Sequence, residues 1–137
     1  LLDASAIVEL LIDGRHREGA DRVLDGFTGS EDVVLITAAH GQVEATHALR
    51  RLVRRGHLDA DAGAAAVRTL RHLDFALDAT GPRLERIWSL RDTMSPYDAA
   101  YAAAAEGFAL PLHSTDRRLV RACAAAGIEA IHLDDLA

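Results

Sequence analysis

The chain has no lysine, a single cysteine, few aromatic residues and no long apolar run. With only Cys123, neither an intramolecular disulfide nor a cysteine-rich zinc site can form. That thiol lies among small apolar residues and reads as packed rather than nucleophilic. All 15 basic residues are arginine, so every cation is a planar fork suited to carboxylate or phosphate. The formal net charge of −6 excludes a globally basic nucleic-acid binder. Leu1–Ile12 is apolar but carries Asp3 and Glu9 and has no basic leader, so it is not a signal peptide. The expectation is a soluble, cytoplasmic protein without a membrane span. The chain begins at Leu1 rather than Met, which predicts that a residue or two of the first strand is missing. What is present is alanine in abundance, and 50% of the residues are hydrophobic. At 137 residues without repeat or linker, this is one domain, 1–137, long enough to bury a real core.

The most informative stretch is Ser95–Phe108. Ser95 is a good N-cap and Pro96 fits the first helical position, which puts Asp98 at N3, facing the positive end of the helix dipole. Tyr97, Ala100, Tyr101, Ala104 and Phe108 follow at helical spacing and predict a buried face, with Gly107 closing the helix. Ser95 and Asp98 also stand at capping-box spacing, so taken alone Asp98 reads first as a capping carboxylate. Other carboxylates converging on Asp98 would distinguish the two.

Along the chain, Leu1-Leu2 reads as the end of a buried strand, with Asp3 at the switch into a helix Ala6–Ile12. A second helix covers Glu18–Phe27, followed by a loop at Thr28-Gly29-Ser30 and a buried strand Val33–Ile36. A long helix is expected from Thr37 to Arg55, with Ala45, Leu49, Leu52 and Val53 on its core side. Glu44, Ala48, Arg51 and Arg55 form another stripe, which places Glu44 about two turns in. The arginines there are either a solvated face or phosphate-facing. His57–Leu73 reads as a helix with Ala64, Val67, Leu70 and Leu73 along it, Phe75–Leu77 as a short strand, and Arg83–Leu90 as a helix with Trp88 in the core or at an interface. Leu110–His113 is a strand leading through Ser114-Thr115-Asp116 into a helix Arg117–Ala126, whose inner side is Leu119, Val120 and Cys123. Ile128–Leu133 is a last, edge strand. Strands alternating with helices predict an α/β sandwich with a mainly parallel sheet, and ligands in such folds bind outside the carboxyl ends of the strands. Asp3 and Asp116 fall at strand-to-helix switches, and Asp98 opens a helix. The seven histidines show no zinc spacing: His40 and His47 are two turns apart and His113 is near a strand end.

Four segments together resemble a known family. L-L-D-A-S-A at Leu1–Ala6, E-A-T-H-A-L-R-R at Glu44–Arg51, S-P-Y-D-A-A-Y at Ser95–Tyr101 and S-T-D-R-R-L at Ser114–Leu119 occur in the order of the PIN domain, and within it of VapC-like toxin ribonucleases. The resemblance covers the chain nearly end to end. It implies a PIN-like three-layer α/β/α sandwich in which Asp3, Glu44, Asp98 and Asp116 form one acidic cluster binding Mg²⁺ or Mn²⁺. Asp3 and Asp98 would be direct ligands, with Glu44 and Asp116 acting through water or at a second site. Hydroxyls of Ser5 and Thr115 would orient a carboxylate or water, or else simply cap helices. Oxygen ligands without cysteine or paired histidine suit Mg²⁺ or Mn²⁺ better than zinc.

The implied activity is metal-dependent endoribonuclease cleavage, with water attacking a phosphodiester and the cation offsetting charge on the phosphate oxygens. Arg51, Arg55, Arg117 and Arg118 are candidate RNA contacts by position. Such toxins are usually held by a VapB-like antitoxin whose tail places a basic residue in the acidic site, and usually form homodimers. The small-residue faces around Ala62–Ala66 and Ala99–Ala105 are candidates for that packing. The shortened start predicts a less well fixed Asp3 than in the family. The rival reading is a catalytically inactive PIN-like protein-interaction domain, whose acidic helix starts are only caps. A phosphotransferase using Asp3 as nucleophile would want a second acid close behind it, a lysine or a Gly-rich loop, and none is present.

Overall fold

The first three residues hold the sheet together. In the computed structural model, which describes residues 1–26 and 33–137, Leu2 N–H donates to the Ile36 carbonyl at 2.9 Å. On its other side His113 N–H donates to the Leu1 carbonyl at 2.9 Å, and Asp3 N–H to the His113 carbonyl at 3.1 Å. This segment joins two parallel pairs: β1 (Leu35–Ala38) with β2 (Phe75–Asp78), and β3 (Leu112–Ser114) with β4 (Ala130–His132). The order is β2-β1-Leu2-β3-β4, with β4 at the edge as expected. Leu1 and Leu2 are buried, and the segment is paired on both sides.

Helices α1 (Ala4–Leu11), α2 (Arg17–Asp25), α3 (Gly41–Arg54), α4 (Ala60–His72), α5 (Leu84–Ser89), α6 (Pro96–Phe108) and α7 (Arg117–Ala125) complete the expected α/β sandwich. Single 3-10 turns stand at Gly81–Arg83 and Leu133–Asp135. The Thr28–Ser30 loop and the last residue of the expected Glu18–Phe27 helix lie outside the described residues. No described helix is long and apolar enough to cross a membrane.

Helix α6 is the central one. Every residue from Ala99 to Ala105 is buried. Alanine carries nothing beyond Cβ, so a helix made of it can lie close to neighbours on all sides. That overturns the expectation of a docking face at Ala99–Ala105, because the domain's own core consumes it. The ends of the expected buried face also turn outward: Tyr97 is 66% and Phe108 44% exposed. Gly107 does not end the helix. Ala109 does, in the left-handed region at φ 52°.

Several boundaries differ from the sequence reading for packing reasons. β1 sits two residues later than Val33–Ile36, since Thr37 and Ala38 pair with Leu77 and Asp78. Thr37 is therefore strand, not helix, and α3 begins at Gly41, where a Cβ would meet Thr37 Oγ1 at 2.1 Å. This moves Glu44 into the first turn of α3. Along α4 the buried stripe is Gly63, Ala66 and Leu70, while Ala64 and Val67 are exposed. Trp88 is 68% exposed with Arg91 stacked on its ring, so it is not core.

Gly19 marks the closest approach of α2 to the C-terminal turn: a Cβ there would lie 2.1 Å from the Leu133 carbonyl oxygen. Backbone cannot yield as a side-chain tip can. Gly19→Ala should therefore destabilise by roughly 1–3 kcal/mol despite alanine's better helix propensity. Gly26→Ala, whose nearest contacts are at 3.6 Å, should be neutral or stabilising. Thermal melts of both variants check the contrast, and equal losses would refute it.

Candidate metal centre at four helix starts

Each of the four predicted acids belongs to the N-terminal end of a different helix. Asp3 is the N-cap of α1 and Asp116 of α7; Glu44 and Asp98 lie in the first turns of α3 and α6. All four line one cavity of about 280 Å³, together with Ser5, His47, Ala48, Arg51 and Tyr101. A larger cavity of about 680 Å³ lies between α1, α3 and α4, but its lining is mostly apolar and holds none of the four.

The carboxylates are held very differently. Asp3 is 5% exposed. Its Oδ1 accepts from Ser5 Oγ at 2.7 Å and from Ala6 N–H at 2.8 Å, and its Oδ2 accepts from Ser114 Oγ at 2.5 Å. Asp3 is thus held by three donors. Burial raises its pKa to about 6, against the lowering effect of these donors and with a further push from Glu44. Glu44 Oε2 accepts from the buried Tyr101 hydroxyl at 2.7 Å. Asp98 Oδ2 accepts from Ser95 Oγ at 2.9 Å, while Asp98 N–H donates to the same hydroxyl at 3.1 Å. Ser95 is thus the cap of α6, and the Asp98 carboxylate meets its hydroxyl rather than a backbone N–H while also lining the cavity. Asp116 Oδ1 accepts from Arg118 N–H at 2.7 Å and from Leu119 N–H at 3.4 Å.

One oxygen of each of Glu44, Asp98 and Asp116 has no hydrogen-bond partner among the described residues. No three of the four acids bring oxygens within 4.8 Å of one another there. Oxygen donors in a shared cavity, splayed and short of donors, fit a hard divalent cation that would draw them inward. The positive helix ends reduce their mutual repulsion without cancelling it.

The flanking expectations divide. Ser5 orients the Asp3 carboxylate and does not cap a helix. The Thr115 hydroxyl bonds no carboxylate among the described residues; Thr115 contributes its N–H to Ser5 Oγ at 2.9 Å instead. The hydroxyl that does the expected work is Ser114, fully buried, which also accepts from Asp116 N–H at 2.9 Å and so ties two of the acids. Sequence reasoning passed over Ser114 and over Tyr101, which it assigned only to packing; a hydroxyl one turn past Asp98 was the available signal. His40 was missed as well: it packs on the Tyr101 ring and brings Nε2 to 3.6 Å from Glu44 Oε2. Of the arginines, Arg51 lines the cavity, and Arg55 lines a neighbouring one with Ser5 and Thr115. Arg118 is exposed. Arg117 is engaged by Asp134 at 3.7 Å and Asp135 at 3.3 Å, so it faces the C-terminal acids.

An α/β sandwich with four acids gathered at helix starts beside the ends of parallel strands defines the class. The sequence matches the PIN domain over residues 1–125, and the chain belongs to that family. It is 35% identical over 122 residues to Ribonuclease VapC3 of Mycobacterium tuberculosis, covering 89% of this chain and 85% of that protein. It is 33% identical over 121 residues to Ribonuclease VapC12 of the same organism, covering 88% and 89%. The crystal structure of PAE2754 from Pyrobaculum aerophilum superposes with a TM-score of 0.66 at 26% identity, over 98% of this chain and 90% of that one.

Two measurements probe this geometry. The Asp3 pKa is raised in the fold, so the folded protein holds a proton that the unfolded chain releases between about pH 4 and 6. Its contribution to stability is thus present below pH 4 and lost as pH rises through about 6. In chelator, Asp3→Asn should match the parent near pH 4 and be more stable above pH 6, by up to roughly 3 kcal/mol; a pH-independent difference would contradict the assignment. Tyr101→Phe removes the Glu44 donor and keeps the packing. Divalent-cation affinity should fall about 10-fold, as for other partners of metal-holding groups, with the melting temperature in chelator little changed.

Proposed function

We propose that this protein is an Mg²⁺-dependent endoribonuclease toxin, with Mn²⁺ as an alternative cation, neutralised by a cognate VapB-like antitoxin. The observation that carries this reading is the convergence of Asp3, Glu44, Asp98 and Asp116 on one cavity from four helix starts. It is supported by membership of the PIN family and by relatives named ribonuclease VapC.

Asp3 and Asp98 would hold the cation directly, and Glu44 and Asp116 through water or at a second position. The bound cation would supply Lewis acidity toward water and the phosphate oxygens. Ser5 and Ser114 keep the Asp3 carboxylate in one orientation, and Tyr101 does the same for Glu44. Arg51, Arg55 and Arg118 make no ion pair among the described residues, which leaves their forks for the phosphates that flank the scissile bond. Arg117, held by Asp134 and Asp135, is the weakest of the proposed RNA contacts. A basic residue on the antitoxin tail would compete with the cation for the same carboxylates. Action in the cytoplasm as a homodimer completes the reading. The rival, an inactive interaction domain whose acids are only caps, explains Asp116, which accepts from the Arg118 and Leu119 N–H groups. It gives no reason to desolvate Asp3 or to aim the Tyr101 hydroxyl at Glu44.

Purified protein free of antitoxin should cleave a mixed set of structured and single-stranded RNAs with Mg²⁺ or Mn²⁺. Chelator should stop cleavage, and Asp98→Asn should lower it by at least 100-fold. A folded parent that neither cleaves RNA nor binds divalent cations by calorimetry would move the assignment to the interaction domain.

A further inference from the structure

A second cluster of metal-ligating groups lies apart from the acidic cavity, where α2 begins against the C-terminal turn. One ring nitrogen of His16, one of His132 and one Asp134 oxygen all lie within 4.8 Å of one another. His16 precedes α2 and its ring caps nothing; its Nδ1 stands 2.5 Å from Asp134 Oδ1. His132 Nδ1 is 3.6 Å from Asp134 Oδ2, and the two imidazoles meet edge to face at 5.4 Å. We propose that His16, His132 and Asp134 form a binding site for a borderline divalent transition metal of the zinc class, distinct from the oxygen-only cavity.

The orientation of His132 favours this. Its Nε2 is 2.9 Å from the Thr115 carbonyl, which can only accept, so Nε2 carries the proton. Its Nδ1 is then the ring's acceptor, and its one lone pair takes Asp134 N–H at 3.2 Å, a bond at the long end of the range that a metal ion would have to displace. A ring whose far nitrogen donates to a backbone carbonyl is the arrangement that aims the near lone pair at a metal. His132 is 2% exposed, so its ring cannot swing away. The His16 backbone is likewise anchored, its N–H donating to Glu9 Oε2 at 3.0 Å.

The donor set, two imidazoles and one carboxylate, leaves a fourth tetrahedral position for water. Bonds of about 2.0–2.2 Å place tetrahedral ligands about 3.3–3.5 Å apart, so ligand atoms that now lie within 4.8 Å of one another would have to adjust on binding. The competing cation is Arg117, 3.7 Å from Asp134 Oδ2, but Arg117 also has Asp135 at 3.3 Å and can give Asp134 up. Two imidazoles select against Mg²⁺ and for Zn²⁺ or Co²⁺. The bound ion would pin the start of α2 to the end of the chain. Through the Thr115 carbonyl it would also reinforce the turn that leads into Asp116.

The test uses untagged protein, stripped with chelator and returned to millimolar Mg²⁺. Zn²⁺ is then titrated by calorimetry, and Co²⁺ is followed by its visible absorption. The parent should take up one Zn²⁺, raise its melting temperature, and give the intense Co²⁺ bands of a tetrahedral nitrogen-containing site. His16→Ala and Asp134→Asn should each weaken Zn²⁺ binding at least 10-fold, with unchanged melts in chelator. Asp98→Asn should retain it. Binding that survives both His16→Ala and Asp134→Asn, or that disappears in Asp98→Asn alone, would overturn the proposal. So would a parent that binds no Zn²⁺ above the Mg²⁺ background. No readout involves RNA, so the outcome is independent of the nuclease reading.

Discussion

The structure depends on a desolvated carboxylate held where a two-sided strand contact ends. Asp3 is the last residue of the segment that joins the two strand pairs, and its side chain is satisfied by Ser5, Ser114 and the Ala6 N–H. Burying a carboxylate this deeply is unfavourable, and the donors offset only part of that, since its pKa still lies near 6. The rest must be balanced by the fold, chiefly by Leu1, Leu2 and the alanine helix packed around it. A residue that served stability alone would have been apolar. Continuity of the sheet and placement of the acid are therefore one arrangement.

The other three acids follow from the same physics, with less burial. A helix start offers unpaired N–H groups and a partial positive charge, so an acid placed there is stabilised where it stands. With four helix starts around one cavity, four acids can be gathered with no arginine salt bridge to them among the described residues. Of the arginines, Arg51 lines the cavity without pairing with the acids among the described residues, while Arg117 is drawn off by Asp134 and Asp135. An interior counter-ion supplied by the protein would have filled the position that a hard cation fits.

Much of this was legible because helix starts leave local marks. Ser95-Pro96 and the strand-to-helix switches at Asp3 and Asp116 announced three of the acids from neighbouring residues alone. Glu44 was found by resemblance, and its position in the helix was misjudged. Thr37 has no local signal separating the last turn of a strand from the first turn of a helix; pairing with Leu77 decides it, and that partner is distant in the chain. The same limit hid Ser114 and Tyr101, whose hydroxyls matter only because Asp3 and Glu44 approach them from more than fifty residues away. The face of α4 was misread for the related reason that an alanine-rich helix carries little hydrophobic contrast. The choice of buried stripe then falls to tertiary packing.

Long-range pairing also explains why the histidines looked chemically idle. His16 and His132 share no spacing that suggests a ligand pair, and they meet because α2 packs on the C-terminal turn through Gly19 and Leu133. The turn Ser114-Thr115-Asp116 then stands between two sets of donors. Ser114 reaches Asp3, Asp116 enters the acidic cavity, and the Thr115 carbonyl fixes the tautomer of His132. Since each of these groups points a different way from one short turn, a change in its backbone would be felt at both places. The N–H of Thr115 is held by Ser5 and its carbonyl by His132, so the turn is restrained from both sides. That restraint is what lets an exposed residue, Asp116, keep a fixed place beside a buried one, Asp3.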